Sequence, residues 1–298
     1  MEITTHKSVL LHEVVEGLNL KKNARYLDGT INAGGHAKTL WEASGHTLRI
    51  VGFDQDGEAL KRASTTLKEV KELTLILSNF RHLLSELSKR NIREGFDGVL
   101  LDLGLSSDQL DTSGRGFSFR YDEPLLMTMT TEQPLFTAHD IVNSWEEESL
   151  IAIIKNYGEE RFAKRIAQKI IAAREKGEIK TSKQLADIVK YAVPLTVRYK
   201  KIHPATKTFQ ALRIAVNDEL AALKEGLEGA FQVLSSGGRL AVISFHSLED
   251  RIVKQWMKEK VEHMEGIVVS KKPIVPSDSE IKSNPRSRSA KLRIFEKK

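Results

Sequence analysis

The chain of 298 residues contains no cysteine, seven prolines and 6% aromatic residues. The absence of cysteine excludes disulfide bonds, thiolate metal sites and a cysteine nucleophile, and it suits a reducing compartment. No run of about 18 apolar residues occurs, the first residues do not resemble a signal peptide, and no metal-ligand spacing such as H-E-x-x-H is present. We therefore expect a cytoplasmic protein with no membrane span and no metal.

The charge balance points toward an anionic partner without identifying one. Lys and Arg number 46 against 40 Asp and Glu, which gives a formal charge of +6. Such an excess favours nucleic acid, although many basic proteins bind nothing anionic. With 40% hydrophobic residues, the chain can bury a full core in one large domain or in a domain with an insertion.

The first third of the chain alternates short apolar runs with helical patterns, which predicts βαβ units on a parallel sheet. The predicted strands cover residues 25–28, 48–54, 73–78 and 97–102. The sheet pattern returns near the end of the chain, at 239–245 and 291–295. Helices are predicted over 208–234 and 248–260, and the polar segment before the last strand is expected to be a mobile basic surface.

The middle of the chain lacks the strand pattern. Helical spacing is found at 146–156, 159–174 and 182–193. Ser144 with Glu147, and Thr181 with Gln184, have the spacing of capping boxes. The sequence therefore predicts a discontinuous α/β domain over 1–112 and 208–298, with an inserted all-helical subdomain over 113–207.

A glycine-containing turn, DGTINAGGH from Asp28 to His36, follows the first predicted strand. Glycines there allow a ligand to approach the backbone, and the next helix N-terminus favours an anion or carboxylate. A tight turn without a ligand explains the same residues. Asp54 ends the second strand about 20 residues later, where nucleotide-binding folds place the acid that holds ribose hydroxyls. Together these motifs predict a nucleoside-containing cofactor, whereas Asp56 is better explained as a helix N-cap.

The fourth predicted strand ends at Asp102 and enters a loop rich in polar and aromatic residues. That loop contains Ser106, Ser107, Gln109, Arg115, Phe117 and Phe119. Because ligands bind at the carboxyl ends of strands in open α/β sheets, we interpret it as an active site. Phe80, after the third strand, is either an adenine-stacking residue or a core residue.

Two later clusters also carry polar groups. The segment HPATKTFQ at 203–210 leads to Arg213 and Asn217, which suits phosphate contact or a capped, solvated helix. After the returning strand, Ser247 to Asp250 has the pattern of a helix cap. His246 is then the residue whose presence capping does not explain.

Several long motifs can be compared with known families. They are HxSVLL, DGTxxxGGH, DGVLLDLGLSSxQLD with RGFSF, YGEERFAKRIA, HPATKTFQALRIxVNxEL and GGRLAVISFHSLEDRIVK. With these motifs the chain resembles the bacterial small-subunit ribosomal RNA methyltransferase H family, also called MraW, over nearly its whole length. The resemblance implies a class I, Rossmann-like sheet with an inserted helical domain. It also implies an enzyme that uses S-adenosylmethionine to methylate N4 of a cytidine in the decoding centre of 16S rRNA, within the small ribosomal subunit.

The resemblance also implies site residues. The cofactor contacts of the family correspond here to Gly34, Gly35, His36, Asp54, Phe80, Asp102 and Gln109. The N4 lone pair of cytosine is conjugated with the ring, so an acceptor for the amino protons helps it to become a nucleophile. Candidate acceptors are Asp102, Ser106, Ser107 or a backbone carbonyl of the 102–106 turn. The Asp/Asn-Pro-Pro-aromatic signature of other amino-methyltransferases is absent.

RNA recognition usually uses unpaired bases that stack on aromatic or guanidinium planes. The candidates for such contacts are Arg115, Phe117, Phe119 and His246. Candidate phosphate contacts are Lys207, Arg213, Arg251, Arg286 and Arg288. The sequence leaves open whether the protein is a monomer or a homodimer.

The chain departs from the family pattern in two places. Ile31 and Asn32 stand where phenylalanine and glycine are usual, and Leu126 and Thr128 replace an acidic residue and an arginine. Asn tolerates a positive φ better than most residues, so the first turn is expected to survive. The alternatives are a non-catalytic RNA-binding assembly factor that retains the cofactor pocket, and a nicotinamide-dependent oxidoreductase. The second leaves the serine-rich loop and the helical insertion unexplained.

Overall fold

The computed structural model describes residues 8–92, 95–111, 113–130 and 134–298, without the side chains of Ser107 and Asp108. Within this part of the chain the strands are β1 (Arg25–Asp28), β2 (Arg49–Asp54), β3 (Leu73–Leu77), β4 (Phe96–Asp102), β5 (Leu234–Ser244), β6 (Gly266–Val268) and β7 (Lys291–Lys297). The helices are α1 (Leu11–Leu18), α2 (Gly35–Ala43), α3 (Gly57–Thr66), α4 (Leu83–Lys89), α5 (Ser107–Asp111), α6 (Ala138–Ser144), α7 (Glu147–Asn156), α8 (Ala163–Arg174), α9 (Ser182–Ala192), α10 (Leu195–Arg198), α11 (Thr206–Asn217), α12 (Glu219–Val233), α13 (Ser247–Glu262) and α14 (Asp278–Ser283). None of these helices is long and apolar enough to cross a membrane.

The strands form one sheet in the order β3-β2-β1-β4-β5-β7-β6. The pairs from β3 to β5 are parallel, whereas β7 is antiparallel to both β5 and β6. The strand order reverses between β1 and β4, which is the topological switch point where doubly wound sheets bind their ligands. This topology confirms the predicted Rossmann-like α/β class.

Both faces of the sheet are buried, because successive residues of a strand point to opposite sides. Tyr26 and Leu100 belong to a core shared with α1, α2 and α3. Their chain neighbours Leu27 and Leu101 belong to a second core shared with α4, α12 and α13. Covered faces account for the nearly continuous apolar runs from which the strands were predicted.

The described residues divide into two compact units. One contains the described residues up to Gly104 together with Leu220–Lys298, and the other is Leu105–Glu219. The predicted boundaries, after 112 and after 207, place α5 and most of α11 with the sheet. The compact units differ from these boundaries, because Phe209 and Leu212 of α11 are buried in the core of the helical unit and Leu110 of α5 packs against it.

Several local predictions also need correction. The predicted helix over 208–234 is two helices, because Asp218 has left-handed backbone angles (φ 48°) and ends α11. Ser144 is the last residue of α6 rather than the cap of α7, whose N-cap is Glu146. The Thr181 capping box is confirmed. The tail segment expected to be mobile forms α14 and a 3₁₀ helix, Pro285–Ser289.

Candidate active site

The loops after β1 and β4 are tied together at the switch point. The N–H of Gly29 donates to the carbonyl of Leu100 at 2.9 Å. The N–H of Asp102 donates to Oγ1 of Thr30 at 2.7 Å. The carboxylate that ends β4 is therefore held in register with the glycine-containing turn.

That turn takes its shape from two left-handed residues. Asn32 has a φ of 48° and Gly34 a φ of 82°, so the sequence prediction that Asn32 can replace glycine here is confirmed. A Cβ on Gly34 would lie 3.1 Å from the side chain of Leu67, which is tighter than ordinary packing. Because Gly34 packs closely and has a positive φ, this position favours glycine.

Asp54 links the turn to the end of β2. Its Oδ2 accepts from the N–H of Asn32 and its Oδ1 from the N–H of Asp56, both at 2.9 Å. Burial raises the pKa of Asp54 to about 6. Each carboxylate oxygen keeps a second lone pair, which can accept a hydrogen bond from a hydroxyl group of a ligand. Asp56 caps α3 by accepting from the N–H of Glu58, as predicted.

Asp28, at the end of β1, is paired with a tyrosine on the same face of the strand. The hydroxyl of Tyr26 donates to Oδ2 of Asp28 at 2.8 Å, and the N–H of Thr30 donates to Oδ1 at 3.1 Å. Burial raises the pKa of Asp28 to about 7, despite these hydrogen bonds. Sequence reasoning missed this pair, although the i, i+2 spacing of Tyr26 and Asp28 was a signal that they share a face.

His36 and Asp102 lie close together. Nε2 of His36 is 2.8 Å from the carbonyl of Val9, so this nitrogen carries the proton and donates it. Nδ1 lies 3.7 Å from Oδ2 of Asp102. Burial, together with the nearby carboxylates of Asp28 and Glu249, raises the pKa of Asp102 well above its usual range. Oδ1 of Asp102 is buried and accepts no hydrogen bond from the described residues.

Phe80 belongs partly to the core. Its ring packs against the backbone of α12, where a Cβ on Gly226 would lie 2.2 Å from Cδ2. The preceding Asn79 caps the 3₁₀ helix Phe80–His82 and also donates to Oε1 of Gln55 at 3.0 Å. Phe80 is only partly buried, so the exposed part of the ring remains available to a ligand.

Ser106 and Gln109 engage each other at the start of α5. The N–H of Gln109 donates to Oγ of Ser106 at 3.1 Å, and the N–H of Ser106 donates to Oε1 of Gln109 at 3.0 Å. This reciprocal arrangement is that of a capping box, which the sequence interpretation did not identify. The side chain of Ser107, the other predicted hydroxyl, lies outside the described part of the chain.

His246 has a capping role that the sequence interpretation did not assign to it. It is the N-cap of α13, where its Nδ1 accepts from the N–H of Glu249 at 3.4 Å and its Nε2 lies 3.1 Å from Oε1 of Glu249. Oε2 of Glu249 in turn accepts from the N–H groups of Phe245 and His246 at 2.8 and 3.2 Å. Capping therefore does explain His246, and the i, i+3 spacing to Glu249 was the signal that sequence reasoning missed.

Two of the predicted RNA-contact residues have structural roles in the helical unit. Phe117 is 6% exposed and belongs to its core, so its ring is not presented to a base. Nη1 of Arg115 donates to the carbonyls of Thr128 and Met129 at 3.0 and 3.1 Å. The side-chain amide of Asn217 binds the same segment at Met127 and Met129.

The other predicted RNA contacts of the helical unit differ from one another in exposure and in their partners. Phe119 is partly buried and stacks on His203, with ring centroids 4.5 Å apart. Lys207 is exposed and donates to the carbonyl of Glu159 at 2.8 Å. Arg213 forms a bidentate pair with Glu219, with both contacts at 2.8 Å. Such a paired guanidinium is poorly placed to bind a phosphate.

The residues at the sheet edge fit a nucleoside cofactor with a positive charge. Asp54 offers acceptors to ribose hydroxyls beside a turn whose backbone a ligand can approach. Oδ1 of Asp102 accepts no hydrogen bond within the described part of the chain. Together with the carboxyl group of Asp28, it creates a site in which a cation is favourable. The sulfonium group of S-adenosylmethionine has this charge.

The Rossmann-like sheet and the residues at its switch point fit a protein that binds a nucleoside cofactor. The model of the MraW methylase family matches residues 3–298. The chain therefore belongs to the MraW methylase family, and as a methyltransferase it uses S-adenosylmethionine.

Two relatives are similar over almost their whole length. Ribosomal RNA small subunit methyltransferase H of Symbiobacterium thermophilum is 46% identical, covering 98% of this chain and 96% of the relative. The protein of the same name from Heliobacterium modesticaldum is 44% identical, with 98% of each chain covered. A solved structure of a putative methyltransferase from Streptococcus mutans in complex with SAH has 13% identity, covers 98% of this chain and 99% of that one, and gives a TM-score of 0.48. This last likeness is too weak to add to the family assignment.

Proposed function

We propose that the protein transfers the methyl group of S-adenosylmethionine to N4 of one cytidine in the decoding centre of 16S rRNA, in the cytoplasm. The observation that carries this proposal is the full-length similarity to the two ribosomal RNA small subunit methyltransferases H. The formal charge of +6 supports an RNA substrate, because excess Lys and Arg favour binding to phosphates.

Asp102 is the residue to which we assign the acceptor role. It ends β4 at the switch point, and its buried Oδ1 accepts no hydrogen bond from the described residues. In the free protein its raised pKa disfavours the ionised form. A neighbouring positive charge favours that form, so the acceptor becomes available when the cationic cofactor is bound. With the cofactor bound, the carboxylate would accept a hydrogen bond from the N4 amino group as the N4 lone pair turns toward the methyl group. It would then take up the proton that N4 loses as the N–C bond forms and the S–C bond breaks.

The remaining residues hold and orient the reactants. The methyl group of S-adenosylmethionine is already activated, so the protein mainly has to align donor and acceptor and exclude water. Asp54 and the Asn32–Gly34 turn hold the nucleoside part, and the Tyr26–Asp28 pair adds negative charge beside Asp102.

We assign substrate recognition to the helical unit, Leu105–Glu219, with phosphate contacts from exposed basic residues of both units. The exposed candidates in the described chain are Lys207, Arg251, Arg286 and Arg288. Arg115 and Arg213 are left out of this assignment, because their guanidinium groups bind carbonyls and a carboxylate within the helical unit.

The experiment is transfer of labelled methyl from S-adenosylmethionine to small ribosomal subunits that lack the modification, followed by nucleoside mass spectrometry. N4-methylcytidine at one site is the expected product. Label on another atom would overturn the N4 assignment. Binding of S-adenosylmethionine without any transfer would favour the assembly-factor alternative. Loss of S-adenosylmethionine binding would contradict the cofactor site itself.

A further inference from the structure

Phe245 is the first residue after β5, and its ring lies beside the turn that follows β4. A Cβ built on Gly104 would lie 3.3 Å from Cδ2 of Phe245 and 3.9 Å from Cε2. Gly104 also has a φ of 99°, where other residues are strained. The ring therefore sits against the backbone of the turn, in a space that any side chain at position 104 would narrow.

The same turn carries Asp102. In the parallel pairing of β4 with β5, Asp102 is the partner of Ile243. The N–H of Leu103 donates to the carbonyl of Ile243 at 2.9 Å. Phe245 follows Ile243 by two residues, so its ring and the Asp102 carboxylate lie at the same edge of the sheet on adjacent strands.

The backbone that carries this ring is fixed on both sides. Ser244 pairs with Lys291 of β7. On the other side, Oε2 of Glu249 accepts from the N–H of Phe245 at 2.8 Å. Nδ1 of His246 accepts from the N–H of Glu249, and its ring lies against the carboxylate of Glu249. Phe245 is only partly buried, so it is the aromatic side chain of this segment that is both held in place and accessible.

A base that is methylated on its exocyclic nitrogen has to leave its stack and be held flat beside the acceptor, and aromatic rings serve this purpose. The turn Asp102-Leu103-Gly104 contains no aromatic residue. We propose that Phe245 supplies, from the neighbouring strand, the ring on which the target cytosine stacks. This inference rests on the proposed function.

The test replaces Phe245 with Leu, Met and Tyr and measures kcat and KM for methyl transfer to unmodified small subunits, together with the Kd for S-adenosylmethionine. Leu and Met preserve most of the apolar volume and Tyr preserves the aromatic plane. We expect kcat/KM to fall about tenfold to a hundredfold in F245L and F245M, and F245Y to stay near wild type, because stacking depends on the ring. The Kd for S-adenosylmethionine is expected to be unchanged in all three variants.

Phe231→Leu is the matched control. Phe231 is also a partly buried aromatic of the sheet-containing unit, packed on Trp256 and Phe295, and F231L is expected to keep full activity. The inference is wrong if F245L or F245M transfers methyl as fast as F245Y. It is also wrong if F245L and F245M both unfold or lose S-adenosylmethionine, because Phe245 would then be a packing residue. Absence of transfer by the wild-type protein would instead refute the proposed function.

Discussion

The main-chain N–H of Asn32 donates a 2.9 Å hydrogen bond to Oδ2 of Asp54, so the turn after β1 and the acid that ends β2 form one structure. In this turn Asn32 has a left-handed backbone, with a φ of 48°. The affinity for the cofactor should therefore depend on a backbone conformation as well as on a carboxylate.

Replacing Asn32 tests the conformation. For an ordinary L-residue the left-handed region costs about 1–2 kcal/mol, so N32A should lower the free energy of unfolding by about 1 kcal/mol and weaken S-adenosylmethionine binding. N32G adopts the same φ without strain and should bind within about threefold of wild type. Chemical denaturation and titration calorimetry measure both effects. An N32A protein as stable and as tightly binding as wild type would show that the conformation is unimportant.

Replacing Asp54 tests the carboxylate. In D54N one of the two N–H donors, from Asn32 or Asp56, faces an amide NH₂, and the charged acceptor for the ribose is lost. We expect the Kd for S-adenosylmethionine to rise about tenfold to a hundredfold, since hydrogen bonds to charged groups are the stronger ones. The matched control is D56N, because Asn caps a helix about as well as Asp. Equal affinities for D54N and D56N would exclude the proposed role of Asp54.

The buried acids make stability depend on pH. Burial raises the pKa of Asp28 to about 7 and that of Asp54 to about 6. The stability from such groups is complete below their unfolded pKa, near 4, and is lost as pH rises through the folded pKa. We expect the Tm of the ligand-free protein to fall from about pH 4 to about pH 7, and to change little above that from these two groups.

Asp28→Asn should flatten this slope, whereas the same change at the exposed Asp122 should not. Asn keeps an acceptor for the N–H of Thr30 and can donate to the hydroxyl of Tyr26, so the packing is retained. Thermal unfolding at several pH values measures the effect. An identical slope in wild type and D28N would show that Asp28 does not titrate in this range.

Substitutions of His246 distinguish a role in capping α13 from a role in contacting the base. Asn is a good N-cap and Ala a poor one, so H246A should lose about 1 kcal/mol of stability while H246N loses little. Methyl transfer by H246N should stay within about threefold of wild type, because capping is a role that Asn can also fill. A folded H246N protein with most of its activity lost would return His246 to the substrate-binding residues.

The sequence was sufficient to predict the strands that build the site, because a sheet covered on both faces produces apolar runs that end at polar residues. Arg25–Asp28 was predicted residue for residue, and Asp54 and Asp102 were correctly expected to end β2 and β4. The short β6 was missed, since three residues give no pattern. The break at Asp218 was missed because helical periodicity continues on both sides of it.

Side-chain roles were harder to predict, because the same residue types serve capping, core packing and ligand binding. Arg115 and Phe117 are residue types that often bind RNA. In the structure, however, Arg115 binds the carbonyl of Thr128 and Phe117 is buried in the core of the helical unit. His246 is predicted to contact substrate because Ser247 to Asp250 already has the pattern of a helix cap. In the structure His246 is itself the N-cap of α13. For Arg115 and Phe117 only the packing of other segments distinguishes these roles, whereas the spacing from His246 to Glu249 was a local signal for the cap.

The most direct test of the account is the single-turnover rate of methyl transfer by D102N at saturating S-adenosylmethionine, on small subunits that lack the methyl group. Asn preserves the shape of Asp102 and removes the carboxylate. If Asp102 accepts the hydrogen bond from N4, the rate should fall about a hundredfold or more, while the cofactor still binds at high concentration. A rate equal to that of wild type under the same conditions would contradict the account.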